Sequence, residues 1–108
     1  KVMKFGGMRR GMEVAELAQT AGMPAYGGDM FEAGLAHLSG VHMIACTANI
    51  SLGCEFYHAT YYLVEDLLEQ PFPIENGAVV VPSAPGLGIG VNMERLHHYA
   101  IRSSMQSE

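Results

Sequence analysis

Tryptophan is absent from the 108 residues, and cysteine and basic residues are scarce. Each shortage closes off a class of function. Two cysteines, Cys46 and Cys54, cannot make the disulfide framework of a small secreted domain, and they fit a reducing cytoplasm. Six lysines and arginines against eleven acidic residues leave a net charge of −5. Beyond Arg9-Arg10 no basic cluster exists, so no nucleic-acid partner is expected. No apolar run is long enough to span a bilayer, and no charged segment precedes an apolar core. Neither a membrane partner nor a secretory signal is therefore expected. An initiator methionine is missing too, and the chain starts at Lys1 inside a motif, so it reads as a piece of a longer chain. What is present is a globular composition, 49% hydrophobic and 16% charged with 13 glycines, sufficient for one domain without internal repeats.

Along the chain, residues 1–4 read as the end of a strand, followed by Gly6-Gly7. From Met8 the apolar positions Met12, Val14, Ala15, Leu17 and Ala18 gather on one helical face, and Gly22 and Pro24 stop the helix near Ala21. Pro24 to Gly27 is a short strand, Gly28 to Glu32 a loop at its end, and Gly34 to Ala48 a second helix. That helix has Leu35, Leu38, Val41, His42, Ala45 and Cys46 on one face, and its small residues Gly34, Ser39 and Gly40 suggest close packing. Asn49-Ile50-Ser51 turns into a third strand, Leu52 to Phe56. The order β-α-β-α-β implies a parallel sheet. Tyr61 to Glu69 is a short helix or turn. Two β-prone arms, Phe72–Glu75 and Ala78–Pro82, flank Asn76-Gly77, the strongest short hairpin signal. Ser83 to Gly90 is an ordered loop, Asn92 caps a last helix through about Arg102, and Ser103 to Glu108 is expected to fray. Three strands cannot close a barrel. The expected fold is α/β: the last three β/α units of a (β/α) barrel over residues 1–62, with a C-terminal hairpin and helix over 63–108.

Few residues carry chemistry. Lys1 would stand at the C-terminal end of a barrel strand, where active sites of such barrels lie. A lysine there can take a proton from a carbon acid if its neutral form is made accessible. The plain alternative is a solvated terminal lysine. Lys4, three residues on, would face the other way along a strand. Glu32 is either a site carboxylate or a charge that favours the start of the following helix. Asp29 beside it can cap that helix or border a substrate. Glu55, between Cys54 and Phe56 in an apolar strand, needs a partner or a polar cavity. His37, His42, Cys46 and His58 invite a metal, but only His42 and Cys46 share a helix face and no compact ligand set emerges. The eight methionines read as core filler and His97-His98 as surface residues. Gly86-Leu87-Gly88-Ile89-Gly90 follows Pro85 instead of a strand and has the wrong spacing for a dinucleotide loop.

In order along the chain stand Lys1-x-x-Lys4-x-Gly6-Gly7, Tyr26-Gly27-Gly28-x-Met30-x-Glu32, Gly53-x-Glu55-Phe56, Ile74-Glu75-Asn76-Gly77 and Pro85-Gly86-Leu87-Gly88. This ordered set, from Lys1 to about His98, resembles the C-terminal part of the muconate-lactonizing branch of the enolase superfamily, close to muconate cycloisomerases. The resemblance implies that Lys1, Pro24–Gly27 and Leu52–Phe56 lie on barrel strands six, seven and eight, and that the hairpin and last helix return to an α+β capping domain. It implies proton transfer next to the carboxylate of a small-molecule substrate, through an enediolate. A divalent metal, magnesium or manganese, is implied as cofactor, on carboxylates that precede this stretch. Lys1 and Glu32 are then the catalytic candidates, Glu55 and Asp29 the substrate-binding ones, and the chain itself supplies no metal ligand. The implied partners are the rest of the same polypeptide and further copies of it, in the cytoplasm. Glu55-Phe56-Tyr57-His58 stands where dipeptide epimerases of the branch carry Asp-x-Asp, which leans toward cycloisomerases. The following His58-Ala59-Thr60-Tyr61-Tyr62 departs from the small and aliphatic residues usual in muconate enzymes. A racemase, epimerase or dehydratase of the same superfamily, or a non-catalytic binding piece, remains open.

Overall fold

The computed structural model describes residues 1–101; the tail expected to fray, Ser103–Glu108, and the last helix's expected end at Arg102 lie outside them. Four α-helices occur among the described residues, α1 (Val2–Phe5), α2 (Met8–Thr20), α3 (Gly34–Ala45) and α4 (Met93–Tyr99), with a single 3₁₀ turn at Ala59–Tyr61 where Tyr61–Glu69 was expected to be a short helix or turn. One two-stranded antiparallel sheet joins β1 (Ile74–Glu75) to β2 (Ala78–Val79).

Helix α2 forms over the predicted span, but of its predicted apolar face only Ala15 is buried, while Val14 and Leu17 are exposed. Gly11 and Ala15 are buried, while Arg9, Glu13 and Glu16 stay in solvent. Its end is a Schellman turn: Gly22 adopts φ 70° and donates to Gln19 O, and Met23 donates to Ala18 O. No helix among the described residues is long and apolar enough to cross a membrane.

Residues 1–4 do not form the expected strand. An extended segment needs a neighbour for its backbone groups, and no neighbouring strand lies beside it among the described residues. The chain closes a local turn instead. Lys4 N donates to Lys1 O at 3.1 Å, and Gly6 N and Gly7 N donate to Val2 O at 3.1 and 3.2 Å. Gly6, at φ 75°, terminates this short helix α1. Lys4 is therefore a solvated residue one helical turn from Lys1, not a side chain on the reverse face of a strand.

The other two expected strands appear as a short parallel pair of extended segments. Ala25 N bonds to Asn49 O, Leu52 N to Ala25 O, Gly27 N to Gly53 O and Glu55 N to Gly27 O, all between 2.9 and 3.2 Å. A parallel bridge joins Gly27 to Cys54, and α3 is the crossover between the two segments. Helix α3 stops at Ala45, three residues before its predicted end. The Thr47 hydroxyl donates to Met43 O at 2.6 Å and Ile50 N to Thr47 O at 2.9 Å, which turns the chain. Of the predicted face, Leu38 and Val41 are buried but Ala45 and Cys46 are exposed, while His37 and Met43, outside that face, are buried. The helix is wedged between α2 on one side and Phe56 with the later segments on the other.

Leu38, Val41, Leu68 and Phe72 form the core, with Leu35, Phe56, Ile74, Val79, Leu87 and Ile89 packed on it. Each such side chain contributes about 1.5–3 kcal/mol when fully buried. The hairpin thus lies against α3. Its turn residues Asn76 and Gly77 both have positive φ, 50° and 77°, as a tight hairpin turn requires. Helix α4 starts where predicted, with Asn92 Oδ1 accepting from Arg95 N at 2.9 Å. Arg95 ties it down: Nη1 donates to Asp66 O and Leu68 O, and Nε pairs with Glu65 at 2.7 Å.

Candidate active site

The loop Gly28–Ala33, between the first parallel segment and α3, gathers the candidate side chains. Lys1 reaches it from α1. Its Nζ donates to the Asp29 backbone carbonyl and to Glu55 Oε1, the latter at 3.3 Å. Glu55 stands at the end of the second parallel segment, so the pair joins residues 54 positions apart. Both side chains remain partly open to solvent, at 36% and 49%. The Lys1 stem passes directly over Gly28: a Cβ built there would sit 2.9 Å from Lys1 Cε, 3.1 Å from Lys1 Cγ and 3.2 Å from Glu55 Oε1. A Cβ there would push the flexible Lys1 stem aside, which glycine avoids.

Asp29 and Glu32 turn the opposite way, inward. Their side chains are 3% and 7% exposed and face the fully buried His37. His37 Nε2 lies 3.2 Å from Asp29 Oδ2, 3.6 Å from Glu32 Oε2 and 3.5 Å from Met30 O. Asp29 Oδ2 and His37 Nδ1 have no hydrogen-bond partner. Burial pushes the Asp29 carboxyl above its ordinary value; His37 opposes this, and Glu32 and Glu55 add to it. Phe56, Tyr57 and Phe72 meet the imidazole edge-on, at 5.4–5.8 Å between centroids. Two phenols close the rim. Tyr57 donates to Met30 O at 3.2 Å, and Tyr62 donates to Glu32 O. Burial, with Tyr57 and the nearby carboxylates behind it, pushes the Tyr62 phenol up to about 12, so it stays a donor at neutral pH.

Two expectations for the loop are corrected. Asp29 does not cap α3, because its side chain points at His37. The helix begins at Ala33 without a side-chain cap of its own. The carboxylate at its start is Asp66, whose Oδ1 accepts from Gly34 N at 2.9 Å. Glu32 is not a solvated helix-end charge either; its Oε2 is buried and accepts from Met30 N. Asp29, Glu32 and His37 are the metal-capable group among the described residues, with one donor atom from each all within 4.8 Å of one another. His42 instead turns to Leu87 O at 3.1 Å, and Cys46 is exposed. Spacing alone favoured His42 with Cys46. The available signal for the group that gathers instead was two acids just before a helix whose first turn carries a histidine.

A family model described as "Enolase C-terminal domain-like" matches residues 1–95. Muconate cycloisomerase 1 of Acinetobacter baylyi is 34% identical over 96 residues, covering 89% of this chain and 26% of that protein. The solved muconate cycloisomerase of Azorhizobium caulinodans is 44% identical at a TM-score of 0.77, over 91% of this chain and 28% of the other. The muconate lactonizing enzyme of Klebsiella pneumoniae is 30% identical at a TM-score of 0.81, over 92% and 27%. The chain thus spans about a quarter of the length of these relatives.

Proposed function

Since the chain belongs to the enolase C-terminal domain-like family and is similar in sequence and structure to muconate cycloisomerases, we propose that it forms part of a cycloisomerase of the muconate type. Residues 1–62 contribute to the barrel and residues 63–108 to the extension that returns toward the capping domain. The carrying observation is the Lys1 ammonium, held between the Asp29 carbonyl and Glu55 on a partly open rim.

Lys1 is the acid/base residue. Two acceptors orient Nζ, and its third N–H direction is left for a reacting carbon. Positioned proton transfer of this kind contributes about 10²–10⁴ in rate. Glu55 and the Asp29 backbone carbonyl hold the amine, and this edge of the loop borders the substrate. Glu32 fixes the loop by taking the Met30 N–H, and the Tyr57 and Tyr62 donors hold the same loop from above. A divalent cation, when bound on carboxylates outside this stretch, neutralises the charge that grows on the substrate carboxylate. The substrate is a small dicarboxylate, which the relatives' names support.

The test is turnover of muconate by the full-length protein with magnesium or manganese, followed by loss of the conjugated diene's ultraviolet absorbance. Cation-dependent turnover is expected. A protein that leaves muconate intact but exchanges a substrate α-proton with deuterated solvent would instead be a racemase, epimerase or dehydratase of the superfamily. Absence of both activities would leave only a binding role.

A further inference from the structure

The inward half of the loop is organised around a charge that the proton-transfer reading does not use. Asp29 and Glu32 are two buried carboxylates aimed at one imidazole. A single ring N–H serves one oxygen, yet Asp29 Oδ2, Met30 O and Glu32 Oε2 all lie 3.2–3.6 Å from His37 Nε2. The nearest of them, Asp29 Oδ2, has no hydrogen-bond partner, although its side chain is only 3% exposed. A buried anionic oxygen without a donor is costly and calls for a cation. Two of the three separations are close to what one needs, and all three donor atoms lie within 4.8 Å of one another. Donors about 2.0–2.2 Å from a tetrahedral ion stand roughly 3.3–3.6 Å apart, and Nε2 is 3.2 Å from Asp29 Oδ2 and 3.6 Å from Glu32 Oε2. Glu32 Oε2 keeps a free lone pair after accepting from Met30 N.

We propose that Asp29, Glu32 and His37 form a closed structural site for a divalent transition cation of the zinc class, pinning the loop whose Asp29 carbonyl receives Lys1. One imidazole with two carboxylates suits such an ion, whereas magnesium prefers oxygen donors and keeps several waters. None of the three residues belongs to the ligand set that the family resemblance implies, and the site does not depend on the reaction proposed above.

Zinc, titrated against a chromophoric chelator with magnesium in excess, tests this in the full-length protein carrying Cys46→Ser and Cys54→Ser, because both thiols are exposed and would take zinc themselves. One equivalent should bind, and magnesium in excess should not displace it. Asp29→Asn, which keeps the side chain's shape, and His37→Gln should each weaken binding at least 100-fold, since loss of outer partners alone costs about 10–100-fold. The His37 ring protons should shift in the NMR spectrum on adding zinc and stay put in Asp29→Asn. The proposal is overturned if this protein takes up no zinc, if magnesium competes equally, or if Asp29→Asn binds as tightly as the parent.

Discussion

Replacing Asp66 by alanine should loosen the helix that carries His37, although Asp66 is 32 residues away from that helix's start. Ala33 and the first turn of α3 offer neither a capping side chain nor an acid. Asp66 Oδ1 accepts from Gly34 N at 2.9 Å and from Leu67 N at 2.7 Å. Gly34 is buried, so its N–H cannot turn to water once the carboxylate is gone. Loss of a cap costs about 0.5–2 kcal/mol, and a buried orphan donor about 1–3 kcal/mol. These describe the same bond and do not add, which sets the expectation near 2 kcal/mol. Asp66→Asn keeps an acceptor oxygen and loses only the charge–dipole part, about 0.3–1 kcal/mol. Urea titration followed by circular dichroism measures both, and a chain of this size loses about 4–8 °C in Tm per kcal/mol. The reasoning fails if Asp66→Ala costs under about 0.5 kcal/mol, or if asparagine costs as much as alanine.

Three further outcomes follow from the site and the core. Gly28→Ala should push the Lys1 stem aside and lower turnover by the full-length enzyme about 10–100-fold with little change in KM, since a 1 Å misplacement can cost 10²-fold; steady-state kinetics read this. The folded-state pKa of Asp29 lies above its ordinary value, so between the two values the folded chain holds more protons than the unfolded one. Stability should fall as pH rises from about 3.9 through that window, and Asp29→Asn should flatten the slope when urea midpoints are measured in chelator from pH 4 to 7. Leu38→Ala, at a fully buried core position, should cost about 2–5 kcal/mol by the same titration.

The parts of the fold that were legible in the sequence are those whose signals are local. Gly22 after the α2 periodicity, Asn76-Gly77 in the hairpin and Asn92 before α4 each act within a few residues, so short stretches sufficed. Lys1–Lys4 was not legible, because a strand exists only beside a partner and local helical bonds win without one. The end of α3 was missed because Thr47 back-bonding is a small effect that periodicity does not carry. In the site, the motif order placed Lys1, Asp29, Glu32 and Glu55 in one neighbourhood. Which way each side chain turns was invisible. Asp29 precedes a helix and so fits a cap by position, but Asp66 reaches that helix from a distant segment. His37 is held by Phe56, Tyr57 and Phe72 from later parts of the chain, so no spacing rule on α3 could show it buried.

Solvent deuterium incorporation next to the substrate carboxylate, measured by NMR with the full-length protein and its Lys1→Met variant, bears most directly on the central claim. Methionine fills similar space without a proton to give. If Lys1 moves the proton, incorporation should drop at least 100-fold, within the range of about 10²–10⁴ for a positioned acid/base group, while substrate affinity and folding persist. Incorporation at the parent rate in Lys1→Met would show that another group carries the proton and that the Lys1–Glu55 pair only holds the rim together.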